Sequence, residues 1–264
     1  MAEAKKHGAS GVLKHAIRRC NVVITMGLYF AVAPFGYLIF AGLCWLWRGD
    51  AVRRAKRLQG VTARAYRFMH AWLSAMRITR FDPRAQALAL PQGPCVVVAN
   101  HPTLMDITSI TAVLGGGSTV VKPALWHRRM LHPLLVGAGH VEGPGSDPIS
   151  IGRVVDDMVE RLRAGMNVIV FPEGTRSLPG QLHRFGRLAF EIACRADVPM
   201  VSLVVTCVPV YVSKEVTLFR PPHPTPVLRL GLLATDAPKD VGHDSKALRE
   251  RVESRYRDWL AELA

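Results

Sequence analysis

The chain has 264 residues, 49% of them hydrophobic and 20% charged. That is enough apolar material for one large or two small domains with a buried core, and it excludes a disordered tail. Lysine and arginine total 34 against 20 acidic residues, a formal net charge of +14, which predicts attraction to nucleic acid, anionic lipid or an acidic substrate without choosing among them. Five scattered cysteines with no C-x-x-C pair argue against a disulfide framework and a thiolate zinc site, and fit a reducing cytoplasmic setting.

From Val22 to Trp47 the chain carries 26 residues without a charge, bracketed by Arg18, Arg19 and Arg48. This is a membrane segment, longer than the apolar region of a secretory signal and followed by no A-x-A cleavage site. A straight helix of that length is about 39 Å long against a hydrocarbon core of about 30 Å. Lys5, Lys6, Lys14, Arg18 and Arg19 precede it, and Arg48, Arg53, Arg54, Lys56 and Arg57 follow, so the positive-inside rule puts both flanks in the cytoplasm. Pro34 and Gly36 at its middle then predict two half-helices that dip into one leaflet and return, with a tilted single span as the alternative.

Residues 52 to 76 place Val52, Ala55, Leu58, Val61, Ala65, Met69, Trp72 and Met76 on one helical face, with Arg53, Arg54, Lys56, Arg57, Arg64 and Arg67 on much of the remainder. That pattern describes either a surface helix with a solvated basic face or a helix lying on anionic lipid. Residues 1–80 thus read as an N-terminal membrane-associated helical region, with an anchor at 22–47 and a basic amphipathic helix at 52–76, and residues 81–264 as an α/β domain.

After Phe81 the pattern alternates. Extended segments are expected at 95–99, 119–122, 167–171 and 198–212, a short segment intervenes at 139–142, and the run 226–235 alternates like a strand near a sheet edge. Helical spacing falls at 104–114, from 123 through Leu135, at 149–163, 185–196 and 245–263. The Gly-Pro chemistry of residues 143–148 marks a loop. The order predicts an α/β fold with a mostly parallel sheet covered by helices, preceded by the anchoring segment. Chemistry in such sheets sits at the carboxyl ends of strands.

Two polar clusters lie at such ends. In NHPTLMD, His101 leaves the strand 95–99 and Asp106 lies about one turn into the next helix. A carboxylate bonded to one imidazole nitrogen fixes the tautomer and raises the basicity of the other, as a general base for a hydroxyl requires. The same residues also suit a capped strand-to-helix turn in which Asp106 bonds a backbone amide. In FPEGTRS, Glu173, Gly174, Thr175 and Arg176 follow the strand 167–171. They make either a small anion cradle or a loop in which Glu173 and Arg176 pair.

Together, in this order and spacing, NHPTLMD and FPEGTR resemble the glycerolipid acyltransferase family of the lysophosphatidic-acid type, through its H-x-x-x-x-D and F-P-E-G-T-R blocks, from about Cys95 to Val210. VPMV at 198–201 is similar to the family's V-P-I-V block. The resemblance implies that His101 removes the proton from an acceptor hydroxyl, that Asp106 orients it, and that Glu173, Gly174, Thr175 and Arg176 position the acceptor and its phosphate. It implies an acyl-CoA or acyl-carrier-protein donor, a lipid acceptor such as 1-acylglycerol-3-phosphate, and attachment to the cytoplasmic membrane with the catalytic domain on the cytoplasmic side. No cofactor, metal or covalent acyl-enzyme is implied.

The chain departs from the pattern where the family's G-x-I-F-I-D-R block becomes GHVEG, with Gly143 in place of an arginine that helps hold the acceptor phosphate. Lys122 and Arg187 are candidates to replace that charge, though each reads first as a structural or solvated side chain. VVKPALW at 120–126 and the missing arginine are similar to the branch of the family found with aryl-polyene pigment biosynthesis, which opens acceptors that are not glycerophosphates, a non-phospholipid or pigment alcohol among them.

Other chemistries find little support. No aromatics interleave with the basic residues as in a nucleic-acid module, so a membrane-tethered lipid- or nucleic-acid-binding protein would leave both clusters unexplained. No G-x-S-x-G, Walker, H-E-x-x-H or G-x-G-x-x-G signature occurs.

Overall fold

The computed structural model describes residues 2–82, 88–145, 147–178 and 180–263. Two long helices come first, α1 (Ala2–Leu46) and α2 (Ala51–Ala75), the second started by Asp50, whose carboxylate accepts from the Val52 and Arg53 backbone N–H groups at 2.9 and 3.1 Å. A two-residue strand β1 (Arg80–Phe81) leads to the alternating part: β2 (Val96–Ala99), α3 (Asp106–Leu114), β3 (Ser118–Val121), the short helices α4 (Pro123–Trp126) and α5 (His132–Gly137), β4 (Val141–Glu142), α6 (Pro148–Arg163), β5 (Val168–Val170) and α7 (Leu188–Ala196). The chain closes with β6 (Met200–Val208), β7 (Val227–Asp236) and α8 (Ser245–Glu262).

The seven strands form one sheet in the order β1-β7-β6-β2-β5-β3-β4. β6, β2, β5, β3 and β4 run parallel, while β7 is antiparallel to β6 and β1 runs alongside β7. The mostly parallel sheet expected from the alternation is therefore present. β7 lies near the sheet edge as its alternation predicts, with only the two residues of β1, too short to carry a pattern, outside it.

Side chains alternate across the sheet. Val96, Val98, Val168 and Val170 pack on one face with α6, α7 and α8, through Met158, Phe190 and Val252 among others. Val97, Ala99 and Ile169 pack on the other face with Ile110 of α3 and Val22 of α1. Strands buried on both faces read as unbroken apolar runs, as VVVA does.

The expected re-entrant hairpin at Pro34 is corrected: α1 passes through Pro34 as one continuous helix. A proline inside a helix removes one backbone hydrogen bond, which the flanking apolar turns tolerate. Ala16–Leu46 within it is long and apolar enough to cross a membrane, with a mean hydropathy of 1.9.

α1 also lies against the rest of the chain near both ends of that stretch. The Arg18 guanidinium is buried and donates to the carbonyls of Arg77, Pro222 and Ile78. Asn21 Nδ2 donates to the Met76 carbonyl at 2.9 Å, and Trp72 Nε1 to Thr25 Oγ1 at 3.2 Å. At the other end α1 packs on α5, where a Cβ on Gly137 would come within 2.8 Å of Cys44 Sγ.

Candidate active site

β2 and β5 are paired in register, Val98 beside Val170, so the two clusters that follow them emerge side by side at the carboxyl edge of the sheet. Asn100, the first residue beyond β2, ties the departure point down. Its Nδ2 donates to the Val205 carbonyl at 2.9 Å and its Oδ1 accepts from Val205 N at 2.7 Å, extending the β2–β6 ladder with a side-chain amide.

The chain then turns so that Asp106 stands in the first turn of α3 with its carboxylate fully buried and facing back. His101 Nδ1 lies 2.7 Å from Asp106 Oδ2. That oxygen also accepts from Thr103 N at 2.8 Å, and Thr103 Oγ1 donates to Oδ1. Both readings of this cluster are therefore realised by the same carboxylate, which bonds a backbone amide and the imidazole together.

With the carboxylate as acceptor, Nδ1 is the nitrogen that carries the proton in the neutral imidazole, which leaves Nε2 bare in that form, the tautomer a base needs. Burial pushes the Asp106 carboxyl above its ordinary value, against the hydrogen bonds from His101 and Thr103 that pull it down. The His101 side chain is 20% exposed against 0% for Asp106, so the pair has one wet end and one dry end.

Glu173 does not face outward, nor is it paired with Arg176. Its Oε1 accepts from His101 N at 3.1 Å and from Ser177 Oγ at 3.2 Å, and its Oε2 accepts from His183 N at 2.8 Å. Ser177 N in turn donates to the His101 carbonyl at 3.0 Å. Glu173 therefore binds the second cluster to the backbone of His101, which a loop-pairing role would not do.

Gly174 adopts φ +66°, the left-handed conformation that favours glycine, and leaves Thr175 half-exposed beside Arg176. Arg176 Nη1 donates to the Ser213 carbonyl at 3.1 Å and reaches the Val212 carbonyl at 3.5 Å. Val212 is β-branched yet sits at φ +51°, a strained conformation of the kind stored at functional sites. Its carbonyl also accepts from Leu104 N at 3.0 Å, so one strained residue holds both site loops.

Three contributors went unread in the sequence. Phe171 lies flat on His101, ring centroids 4.2 Å apart and planes 18° from parallel. Thr103 is the amide and hydroxyl donor to Asp106; the Thr-x-x-Asp spacing at a helix start is its signal. Val212 carries no local signal. Among the described residues no group of three or more His, Cys, Asp or Glu side chains is placed to hold a metal.

At Gly143, where the family pattern has arginine, the backbone N–H donates to the Val121 carbonyl at 2.7 Å, and a Cβ would stand 3.1 Å from that oxygen. Residue 143 thus continues the β3–β4 pairing in tight quarters.

Comparison with known proteins agrees with this fold. Residues 82–206 match the family described as Acyltransferase. The human 1-acyl-sn-glycerol-3-phosphate acyltransferase beta is 27% identical over 87% of this chain and 81% of its own length. The Brassica napus chloroplastic 1-acyl-sn-glycerol-3-phosphate acyltransferase BAT2 is 31% identical over 42% of this chain, and the match spans only about a third (32%) of that relative. The crystal structure of the 1-acyl-sn-glycerophosphate acyltransferase PlsC from Thermotoga maritima shares the fold with a TM-score of 0.65 at 21% identity, covering 95% of this chain and 96% of that one. The sheet order and the paired clusters agree with these likenesses, and residues 82–206, just under half of the chain, carry the match to the acyltransferase family.

Proposed function

We propose that this chain is a membrane-bound O-acyltransferase that moves a fatty acyl group from a coenzyme A or acyl-carrier-protein thioester to the hydroxyl of a lysophospholipid such as 1-acylglycerol-3-phosphate. The observation that carries the reading is the His101–Asp106 pair, which holds a partly exposed imidazole by its Nδ1 at the carboxyl edge of a parallel sheet.

Nε2 takes the hydroxyl proton as the acceptor oxygen attacks the thioester carbonyl carbon. The new C–O bond gives a tetrahedral intermediate, its collapse breaks the C–S bond, and the imidazolium returns the proton to the leaving thiolate. Asp106 stabilises the imidazolium between the two transfers. Arg176 is assigned to the acceptor phosphate, with Gly174 and Thr175 shaping the cradle. Glu173 is assigned a positioning role beneath both. The reaction calls for no cofactor, the thioester carrier being a substrate, and no role is assigned to nucleic acid.

The attachment to the membrane is supported by α1. Its apolar middle is exposed on almost every side, while its two contact regions are held along the body of the protein. α2, which runs beside it, exposes Arg53, Lys56, Arg57, Arg64 and Arg67 and cannot enter hydrocarbon. An α1 lying along the interface satisfies both helices. We place the protein on the cytoplasmic membrane with the site on the cytoplasmic side, in keeping with the basic flanks on both sides of the apolar run.

A second acceptor class is favoured by Gly143, whose tight packing provides no cation at a position where family members carry one. The experiment is thiol release from acyl-CoA and from acyl carrier protein in detergent. Lysophosphatidic acid is compared with a panel of other lipid alcohols, always beside His101→Ala. Release that depends on lysophosphatidic acid and falls by ~10² to 10⁴ in the variant is expected. Release only with another alcohol reassigns the acceptor, and full turnover in His101→Ala ends the mechanism.

A further inference from the structure

Between β3 and β4 the chain leaves the sheet from Pro123 to Gly137, through α4 and α5, and most of that stretch is exposed. Its composition is wrong for water: Leu125 is 44% exposed, Met130 61%, Leu131 36% and Val136 46%, a cluster rather than the isolated apolar side chains that soluble surfaces tolerate.

The segment is held in shape. The Trp126 ring stands edge-on to His132 with centroids 5.1 Å apart, His132 Nδ1 lies 3.2 Å from the Trp126 carbonyl, and His127 Nε2 reaches Glu142 at the end of β4 at 2.7 Å. Arg128 and Arg129 sit between the apolar residues, exposed, and among the described residues neither has an ion-pair partner. The segment is also continuous with the apolar outside of α1, because the absent side chain at Gly137 lets α5 seat directly on α1 at Cys44.

Exposed apolar side chains flanked by unpaired arginines, joined without a break to an apolar helix, are what an interfacial element presents to headgroups and the upper acyl region. We propose that Pro123–Gly137 is a second membrane-contact element, seated on a bilayer that contains anionic phospholipid. This rests on the membrane-bound reading above. Because β3 pairs with β5, whose carboxyl end carries the Phe171–Arg176 loop, the contact turns the His101 edge of the sheet toward the bilayer surface. A lipid acceptor then arrives by lateral diffusion.

The test uses the full chain in vesicles of phosphatidylcholine and phosphatidylglycerol, with the photoreactive amino acid p-benzoylphenylalanine introduced at position 130. Position 35 in α1 serves as the positive control, and position 258 in α8, on the opposite face of the sheet, as the negative one. Lipid adducts at 130 and 35 but not at 258, read by mass spectrometry, are expected. Adducts at 35 alone, or a crosslink from 130 to a second protein chain, overturn the proposal.

Because this readout needs no turnover, it stands apart from the acyltransferase assignment. A second measurement uses the double variant Leu125→Glu and Met130→Glu. Transfer to a vesicle-borne acceptor is expected to fall at least about tenfold, given the burial energy of two large apolar side chains, while transfer to a short-chain, water-soluble acceptor is retained. Equal rates on the vesicle-borne acceptor also overturn the proposal.

Discussion

The imidazole of His101 is clamped from two directions, by the Phe171 ring stacked on its face at 4.2 Å and by Asp106 Oδ2 at 2.7 Å from Nδ1. The two contacts remove different freedoms. The carboxylate fixes the tautomer and the in-plane rotation, and the aromatic face fixes the plane. Phe171 directly follows β5, and the pairing of β5 with β2 delivers the stack as a consequence of strand register.

Phe171→Leu keeps the apolar bulk and loses the flat face. It is expected to lower kcat about tenfold, with KM for both substrates within about twofold, the pattern of a misaligned base rather than weakened binding. Phe171→Tyr should restore kcat. Steady-state kinetics on the three proteins decides; an unchanged kcat in the leucine variant removes the positioning role.

The parts of this arrangement that were legible in the sequence are the local ones. His101 and Asp106 lie five residues apart across a strand-to-helix turn, so a short pattern fixes their geometry. The buried strands announced themselves as β-branched runs. The contacts to Glu173 and Phe171 span some seventy residues and arise because β2 and β5 are sheet neighbours, which no local pattern states. β1 was invisible because two residues carry no periodicity. α1 misled because Pro34 is a helix breaker in isolation, whereas the apolar turns on either side of it hold their own hydrogen bonds. Helix α7 begins at Leu188, three residues later than the apolar spacing suggested, since Phe185 packs in the core from the segment before the helix.

Arg176 spends one guanidinium nitrogen on the carbonyls of Ser213 and Val212, which leaves further donors of its fork for an anion. Arg176→Ala is expected to raise KM for a phosphorylated acceptor about tenfold, equivalent to ~1.4 kcal/mol, with KM for the thioester unchanged. The measurement is initial rate against acceptor concentration for a phosphorylated lipid and for its unphosphorylated alcohol. An equal rise with both acceptors reduces Arg176 to a tie between two loops.

Stability should fall with acid through two histidines remote from the chemistry. His70 is buried and stacked on Phe81 with centroids 4.9 Å apart, and its Nε2 lies 3.2 Å from Thr108 Oγ1. His140 is half-buried, and its Nδ1 accepts from Thr119 N at 3.2 Å, which requires that nitrogen to be bare. Burial pushes both imidazoles down to about 4. Below the ordinary histidine value the unfolded chain takes up these protons and the folded one does not, so stability rises with pH across that interval. It is full above about pH 6.5 and is lost as the pH falls toward about 4, by up to about 3 kcal/mol for His70 and by less for His140. His70→Gln keeps a polar partner for Thr108 and cannot titrate. Thermal melts of the two proteins from about pH 7 to about pH 4.5 should show a shallower fall in Tm for the variant. Parallel curves would falsify the assignment of this acid sensitivity to His70.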